Sequence, residues 1–238
     1  MSSDPFGRAL RDHYRDEREE PLQQRDGEEV IEHPIEEFYF GEFTADHEWA
    51  GWLESRLQGP LLDLGAGVGK HALYFQETLD TVALEVSDDL VAVMDARGVE
   101  HTCQGDMFDL QDHFERDQFG SALAFGTQVG LAGSMDGLRT FLSDLAYVTQ
   151  PGATALVDCI DPKRKGVSEL LGYRPDPAPG LAFRVMTFAY AGTTSGILLF
   201  RLFSPNRIEE ATVGTCWEVN DIRYGDESTS HYVAALSK

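Results

Sequence analysis

Through the middle of the chain, short apolar runs alternate with stretches whose apolar residues recur every three or four positions. Leu61–Leu64 reads as a strand. It leads through Gly65-Ala66-Gly67-Val68-Gly69 into a segment, 69–79, that sets Ala72, Phe75 and Leu79 on one helical face. Thr81–Val86 is a second buried strand, and Ser87 with Asp88 and Asp89 caps a helix that Gly98 ends. Strands at 99–104 and Ser121–Phe125 follow. A helix at 135–149 carries Leu138, Phe141, Leu142, Leu145 and Val148, and Pro151-Gly152 turns the chain into a strand at Ala153–Asp158. Such alternation predicts an α/β protein with a mostly parallel sheet and helices on both faces.

The two ends and one internal stretch depart from this rhythm. Asp4-Pro5 opens a short N-terminal helix, and Thr44 opens a second whose Trp49, Trp52, Leu53 and Leu57 line one face. Between them lies an acidic, poorly periodic stretch ending in Phe38-Tyr39-Phe40. After the fifth strand, residues 162–203 hold a Pro-rich excursion and then Leu181–Tyr190 and Ile197–Phe203, a hairpin with a longer loop. Ser204 begins a closing unit of helix, strand Cys216–Tyr224 and strand His231–Leu236. The expected organisation is a cap over 1–58 and one domain over 59–238, with 162–203 inserted.

The glycine loop is the first chemical signal. Gly65, Gly67 and Gly69 can take positive φ and let a ligand approach the main chain, and the following helix directs unpaired N–H groups at the same place. Glu85 stands at the tip of the second strand, about twenty residues on, where a carboxylate can accept from both hydroxyls of a ribose. Two other nucleotide motifs are excluded: a P-loop needs Gly at Leu64 and Ser or Thr at His71, and a dinucleotide fingerprint needs Gly at Lys70.

Asp63-x-Gly65-x-Gly67-x-Gly69 resembles motif I of the class I S-adenosylmethionine-dependent methyltransferases. The resemblance runs over nearly the whole chain. It implies a Rossmann-like sheet of seven strands, the last one reversed and lying at the edge, with an N-terminal helical cap and the inserted hairpin serving as a lid. S-adenosylmethionine is then the cofactor, held by Asp63, Gly65, Ala66, Gly67 and Gly69, with Glu85 and Val86 at the ribose. Asp106 would bond the adenine amino group beneath a covering Met107, and Gly126 and Thr127 would pass beside the methionine part.

The implied reaction is in-line methyl transfer to a small-molecule acceptor, in which the protein supplies mainly proximity and orientation. No residue is singled out as a base. Asp158 and Asp161 flank the end of the fifth strand, and His33, His47, His71, His101, His113 and His231 are scattered without metal-ligand spacing. A non-catalytic cofactor-binding or regulatory protein of the same fold is the main alternative. An aminopropyltransferase, which needs acids at the tip of strand four, finds Gly126-Thr127-Gln128 there.

Charge changes the picture of partners and of habitat. Forty-one acids against nineteen bases give a net charge of −22. Nucleic acid is an unfavourable partner for such a surface, whose one compact basic cluster is Lys163-Arg164-Lys165. No apolar run is long enough to cross a bilayer and no leader pattern is present, so the expectation is a cytoplasmic protein. The unpaired spacing of Cys103, Cys159 and Cys216 agrees with a reducing compartment. The acidity resembles that of proteins from extreme halophiles. At about 1 M salt the screening length falls to about 3 Å and self-repulsion is relieved. The halophilic reading predicts that circular dichroism shows loss of structure in dilute buffer and gain of thermal stability up to molar KCl; full folding in dilute buffer with no gain from salt refutes it.

Overall fold

The computed structural model describes residues 4–225 and 229–238. Among the described residues, thirteen strands and six α-helices follow one another as α1 (Pro5–Tyr14), β1 (Gln23–Asp26), β2 (Glu29–Glu32), α2 (Ala50–Glu54), β3 (Leu61–Leu64), α3 (Lys70–Phe75), β4 (Thr81–Glu85), α4 (Asp88–Arg97), β5 (Thr102–Gln104), β6 (Phe119–Ala124), α5 (Met135–Val148), β7 (Thr149–Ile160), β8 (Tyr173–Pro175), β9 (Leu181–Tyr190), β10 (Thr193–Thr194), β11 (Leu198–Phe203), α6 (Pro205–Thr212), β12 (Glu218–Tyr224) and β13 (His231–Ser237).

Seven of these strands form the central sheet in the order β12-β13-β7-β6-β3-β4-β5. Parallel pairing runs from β7 to β5, and β13 is antiparallel to both β7 and β12. The period-two alternation of buried strands appears directly in the packing. Leu62, Ala122, Ala155 and Ala234 face α5 and α6, whereas Leu61, Leu123, Leu156 and Val233 face α2 and Phe75 of α3. Ala83 packs with Ala72 of α3 and Met94 of α4. Helices therefore cover both faces, as the strand–helix alternation required.

Three details differ from the sequence reading. The reversed strand is not at the edge. β13 is buried along most of its length and sits between β7 and β12, and the edge falls to β12, whose residues are all exposed or partly so. Pro151-Gly152 does not start a strand after a turn but interrupts a longer one: Phe119 pairs with Thr149 and Ser121 with Thr154, so the extra residues of β7 bulge out. The second N-terminal helix is only Ala50–Glu54, opened by Trp49 rather than Thr44. Its apolar side still packs as expected, with Trp49, Leu53 and Leu57 against Leu61 and Phe75.

The second sheet is built from both additions. β9 pairs antiparallel with β11, β8 and β10 of the insertion, and also with β1, which brings in β2. The acidic, aperiodic stretch of the N-terminal segment thus contains a hairpin as well as the helix α1. That helix wedges between the two sheets' layers, with Ala9 and Leu10 against Leu90 and Val93 of α4 and Met186, Phe188 and Tyr190 of β9. Arg11 adds an ion pair to Asp89 at 2.6 Å.

Trp217 closes the α5–α6 face. It is 2% exposed, and its indole N–H donates to Leu142 O at 2.8 Å. Trp217→Ala removes both the bulk and the bond and is expected to cost about 3–5 kcal/mol, read as a lowered urea midpoint in concentrated KCl.

Candidate functional site

The carboxyl ends of β3, β4, β6 and β7 and the start of β13 meet along one edge of the central sheet. Ligands of open α/β sheets bind at that edge. β3 ends at Asp63 and Leu64, and the chain then turns through Gly65 (φ +64), Gly67 (φ +60) and Gly69 (φ +79) into α3. A Cβ on Gly65 would stand 2.7 Å from Cδ of Gln128, and one on Gly69 would stand 2.6 Å from Val99. The missing Cβ at Gly65 thus makes room for the Gln128 side chain, while that at Gly69 lets the helix pack.

Glu85 holds the loop from the neighbouring strand. Its Oε2 accepts from Gly67 N–H at 2.9 Å, and its Oε1 accepts from Val86 N–H at 2.9 Å and Ser87 N–H at 3.0 Å. Burial raises the pKa of this carboxyl, the N–H groups of Ser87, Gly67 and Val86 oppose that, and Asp4 adds to the rise. Val86, beside it, is 63% exposed, an apolar side chain left open at a strand tip. Asp63 lies beneath the loop. Burial pushes its pKa up to about 7 against a hydrogen bond from Ala72 N–H, with Glu85 adding to the rise, and its Oδ2 has no partner.

The remaining residues expected here fall into two groups. Gly126 (φ +92) and Thr127 (φ +60) turn above the tip of β6, and both N–H groups donate to Asp158 of β7, at 3.0 and 2.6 Å. Ala66 is fixed by its N–H to Leu84 O at 3.0 Å. Asp106 follows β5 and turns its Oδ1 back to Phe108 N–H at 2.9 Å. Met107 is 6% exposed and belongs to the core with Leu84 and Leu110.

Contacts distant in sequence bring further side chains to this region. His231 Nε2 is 2.5 Å from Asp158 Oδ2. Burial alone would lower the imidazole's pKa, but the hydrogen bond and charge of Asp158 raise it above the ordinary 6.5. His71 stacks edge-on against Phe43 and Phe125, and burial, with the charge of Lys70, lowers its pKa to about 4. Tyr39, in a π-helical turn at Glu36–Phe40, lays its ring over the glycine loop, 3.9 Å from where a Cβ of Gly67 would be. Its hydroxyl meets His33 Nε2 at 2.8 Å. Asp161, the other acid near the end of β7, is occupied by Tyr224 O–H at 2.9 Å and Lys163 N–H at 3.0 Å.

No protein-family model matches the chain and no curated protein matches its sequence. Solved structures do match. A SAM-dependent methyltransferase from Bacteroides fragilis, solved with S-adenosyl-L-homocysteine, superposes with a TM-score of 0.79 at 22% identity, over 98% of this chain and 94% of that one. CalS10, an amino pentose methyltransferase from Micromonospora echinaspora solved with SAM, gives 0.57 at 16% identity over 87% and 98%. The glycopeptide N-methyltransferase MtfA, solved with S-adenosylhomocysteine, gives 0.58 at 17% over 84% and 91%. The chain has the fold of the class I S-adenosylmethionine-dependent methyltransferases, cap and insertion included in the first of these matches.

The buried titrating groups set opposite pH dependences. His71 stays neutral in the fold down to about 4 but takes a proton near 6.5 when unfolded, so its contribution is full above 6.5 and is lost as pH falls toward 4. Asp63 keeps its proton to about 7 in the fold but loses it near 3.8 when unfolded, so its contribution is lost as pH rises between those values. Relative to wild type, His71→Gln is expected to gain urea resistance as pH falls from 6.5 to 4, and Asp63→Asn as pH rises from 4 to 7. Parallel curves for wild type and variants contradict both assignments.

Proposed function

We propose that this protein is an S-adenosylmethionine-dependent methyltransferase acting on a small-molecule acceptor. The observation that carries the reading is the positive-φ glycine loop latched to a buried carboxylate at the neighbouring strand tip. The cradle fits an adenosyl group. Positive-φ backbone lies at Gly65 and Gly67, a carboxylate with one lone pair left beyond its three main-chain N–H donors at Glu85, an open apolar surface at Val86, and a buried carboxyl oxygen without a partner at Asp63. Gly69, Ala66, Asp106, Met107, Gly126 and Thr127 complete the proposed cofactor site along the same sheet edge.

S-adenosylmethionine supplies an electrophilic methyl group, and the chain's own residues orient it and exclude water. Where the acceptor must lose a proton, His231 is the residue in place to take it. It stands at the start of β13, is 42% exposed along its side chain, and is oriented by Asp158, which also fixes the Gly126-Thr127 turn. The cap of 1–58 and the insertion 162–203, joined through β1 and β9, are proposed as the acceptor-side cover.

The finer attributes follow from charge and composition. A net charge of −22 disfavours nucleic acid as substrate and supports a cytoplasm of high salt. Cys103, Cys159 and Cys216 are all free, which agrees with a reducing cytoplasm. Among the described residues no helix is long and apolar enough to cross a membrane.

The test is calorimetric titration of S-adenosylmethionine into the protein in concentrated KCl, where micromolar binding is expected. Glu85→Ala removes charge-assisted hydrogen bonds and is expected to weaken binding about tenfold or more. A folded wild type that does not bind overturns the proposal.

A further inference from the structure

One buried file of polar side chains connects the second sheet to the glycine loop. Arg184, on β9, donates from Nε to Leu171 O at 2.9 Å and from Nη2 to Gln24 Oε1 at 3.1 Å. Gln24 Nε2 lies 2.8 Å from His33 Nδ1, and His33 Nε2 lies 2.8 Å from the Tyr39 hydroxyl. Gln24 and His33 are each 6% exposed, so water does not compete for these contacts.

The direction of every bond in the file follows from its first member. A guanidinium only donates. Gln24 must therefore turn its carbonyl to Arg184 and its amide N–H to His33. His33 Nδ1 then accepts, which puts the ring's single proton on Nε2 and makes Tyr39 oxygen the next acceptor. A second ring proton would oppose the Gln24 N–H. Burial and the charge of Arg184 keep the ring neutral, with its pKa lowered to about 4. Tyr39, having accepted from His33, has its own proton left to give elsewhere.

The ring that carries this hydroxyl stands beside the glycine loop. The ring of Tyr39 lies over Gly67, held at an edge-on angle by Phe6 and Phe38. Burial, with the charge of Glu85 adding to it, raises the phenol's pKa, so Tyr39 remains a donor at any physiological pH. Glu85 offers only acceptors and Tyr39 offers a proton. Together they suit a ligand that carries hydroxyl or carboxylate oxygens above the loop.

We propose that Tyr39 is a ligand-binding residue of fixed sense, a hydrogen-bond donor set by the Arg184–Gln24–His33 file to an oxygen of the adenosyl ligand. Gln24 and His33 act as positioning residues, and the file makes the cap part of the cofactor site. The assignment rests on the proposed binding of an adenosyl group at the glycine loop.

Titration calorimetry of the full chain with S-adenosylhomocysteine and with 5′-methylthioadenosine tests it, the second ligand having the ribose but no amino-acid arm. Tyr39→Phe is expected to weaken S-adenosylhomocysteine about five- to thirtyfold, with circular dichroism unchanged. An equal loss for both ligands makes the partner a ribose oxygen, and a loss confined to S-adenosylhomocysteine makes it the carboxylate. Unchanged affinity for both overturns the proposal. The polarity of the file has its own readout in ¹⁵N NMR of His33 without ligand: a neutral ring protonated at Nε2 at pH 7 is expected in wild type and in Tyr39→Phe. Gln24→Leu removes the lock, and the two tautomers should then mix. A proton on Nδ1 in the wild type refutes the polarity. A wild type that shows the expected tautomer yet binds neither ligand fails the methyltransferase reading instead.

Discussion

The glycine loop at the carboxyl edge of the central sheet depends on one carboxylate. Glu85 is 7% exposed and accepts from the glycine loop on one oxygen and from the start of its own loop on the other. A buried carboxylate is costly unless its lone pairs are filled, and here the filling groups are main-chain N–H donors that must lie where the loop puts them. Loop shape and charge burial are therefore solved by the same contacts. Charge-assisted bonds of this kind are among the stronger ones a protein makes, which suits a loop rich in glycine and otherwise weakly restrained.

The pattern repeats along the edge. Asp63 at the tip of β3, Glu85 at the tip of β4 and Asp158 near the end of β7 are all nearly inaccessible, and each receives main-chain N–H groups from a neighbouring segment: Ala72 of α3, Gly67 of the glycine loop, and Gly126 with Thr127 beyond β6. Most of the 41 acids make the protein's surface strongly negative; these three instead staple strands to loops. Asp63 is the least satisfied, with one oxygen unpartnered and a pKa pushed up to about 7 by burial.

The parts that were legible from sequence were those governed by local rules. Buried parallel strands declare themselves as apolar runs, Ser87 and Gly98 mark both ends of α4, and the spacing from Gly65 to Glu85 follows from one strand–helix–strand unit. What escaped reading depends on contacts distant in sequence. Gln23–Asp26 and Glu29–Glu32 flank a turn signal at Gly27, but their residues are too polar to show alternation; their strand character comes from β9. His231 meets Asp158 across 73 positions only because β13 inserts beside β7, and no local spacing announces that. Thr44 had the chemistry of a cap, yet the apolar face it was meant to open could be buried by a single short turn of helix at Ala50–Glu54.

The pairing of Gln23 with Ala189 has a consequence for how the chain comes to be folded. During synthesis β1 leaves the ribosome long before its partner exists, and a two-stranded hairpin alone is marginal in water. At about 5–20 residues per second, the first segment waits on the order of ten to thirty seconds for β9. Throughout that interval the apolar side of α1 lacks the packing surface that β9 supplies. The central sheet can assemble through β7 in the meantime, whereas β1 waits for β9, and β12 and β13 complete the central sheet only after that.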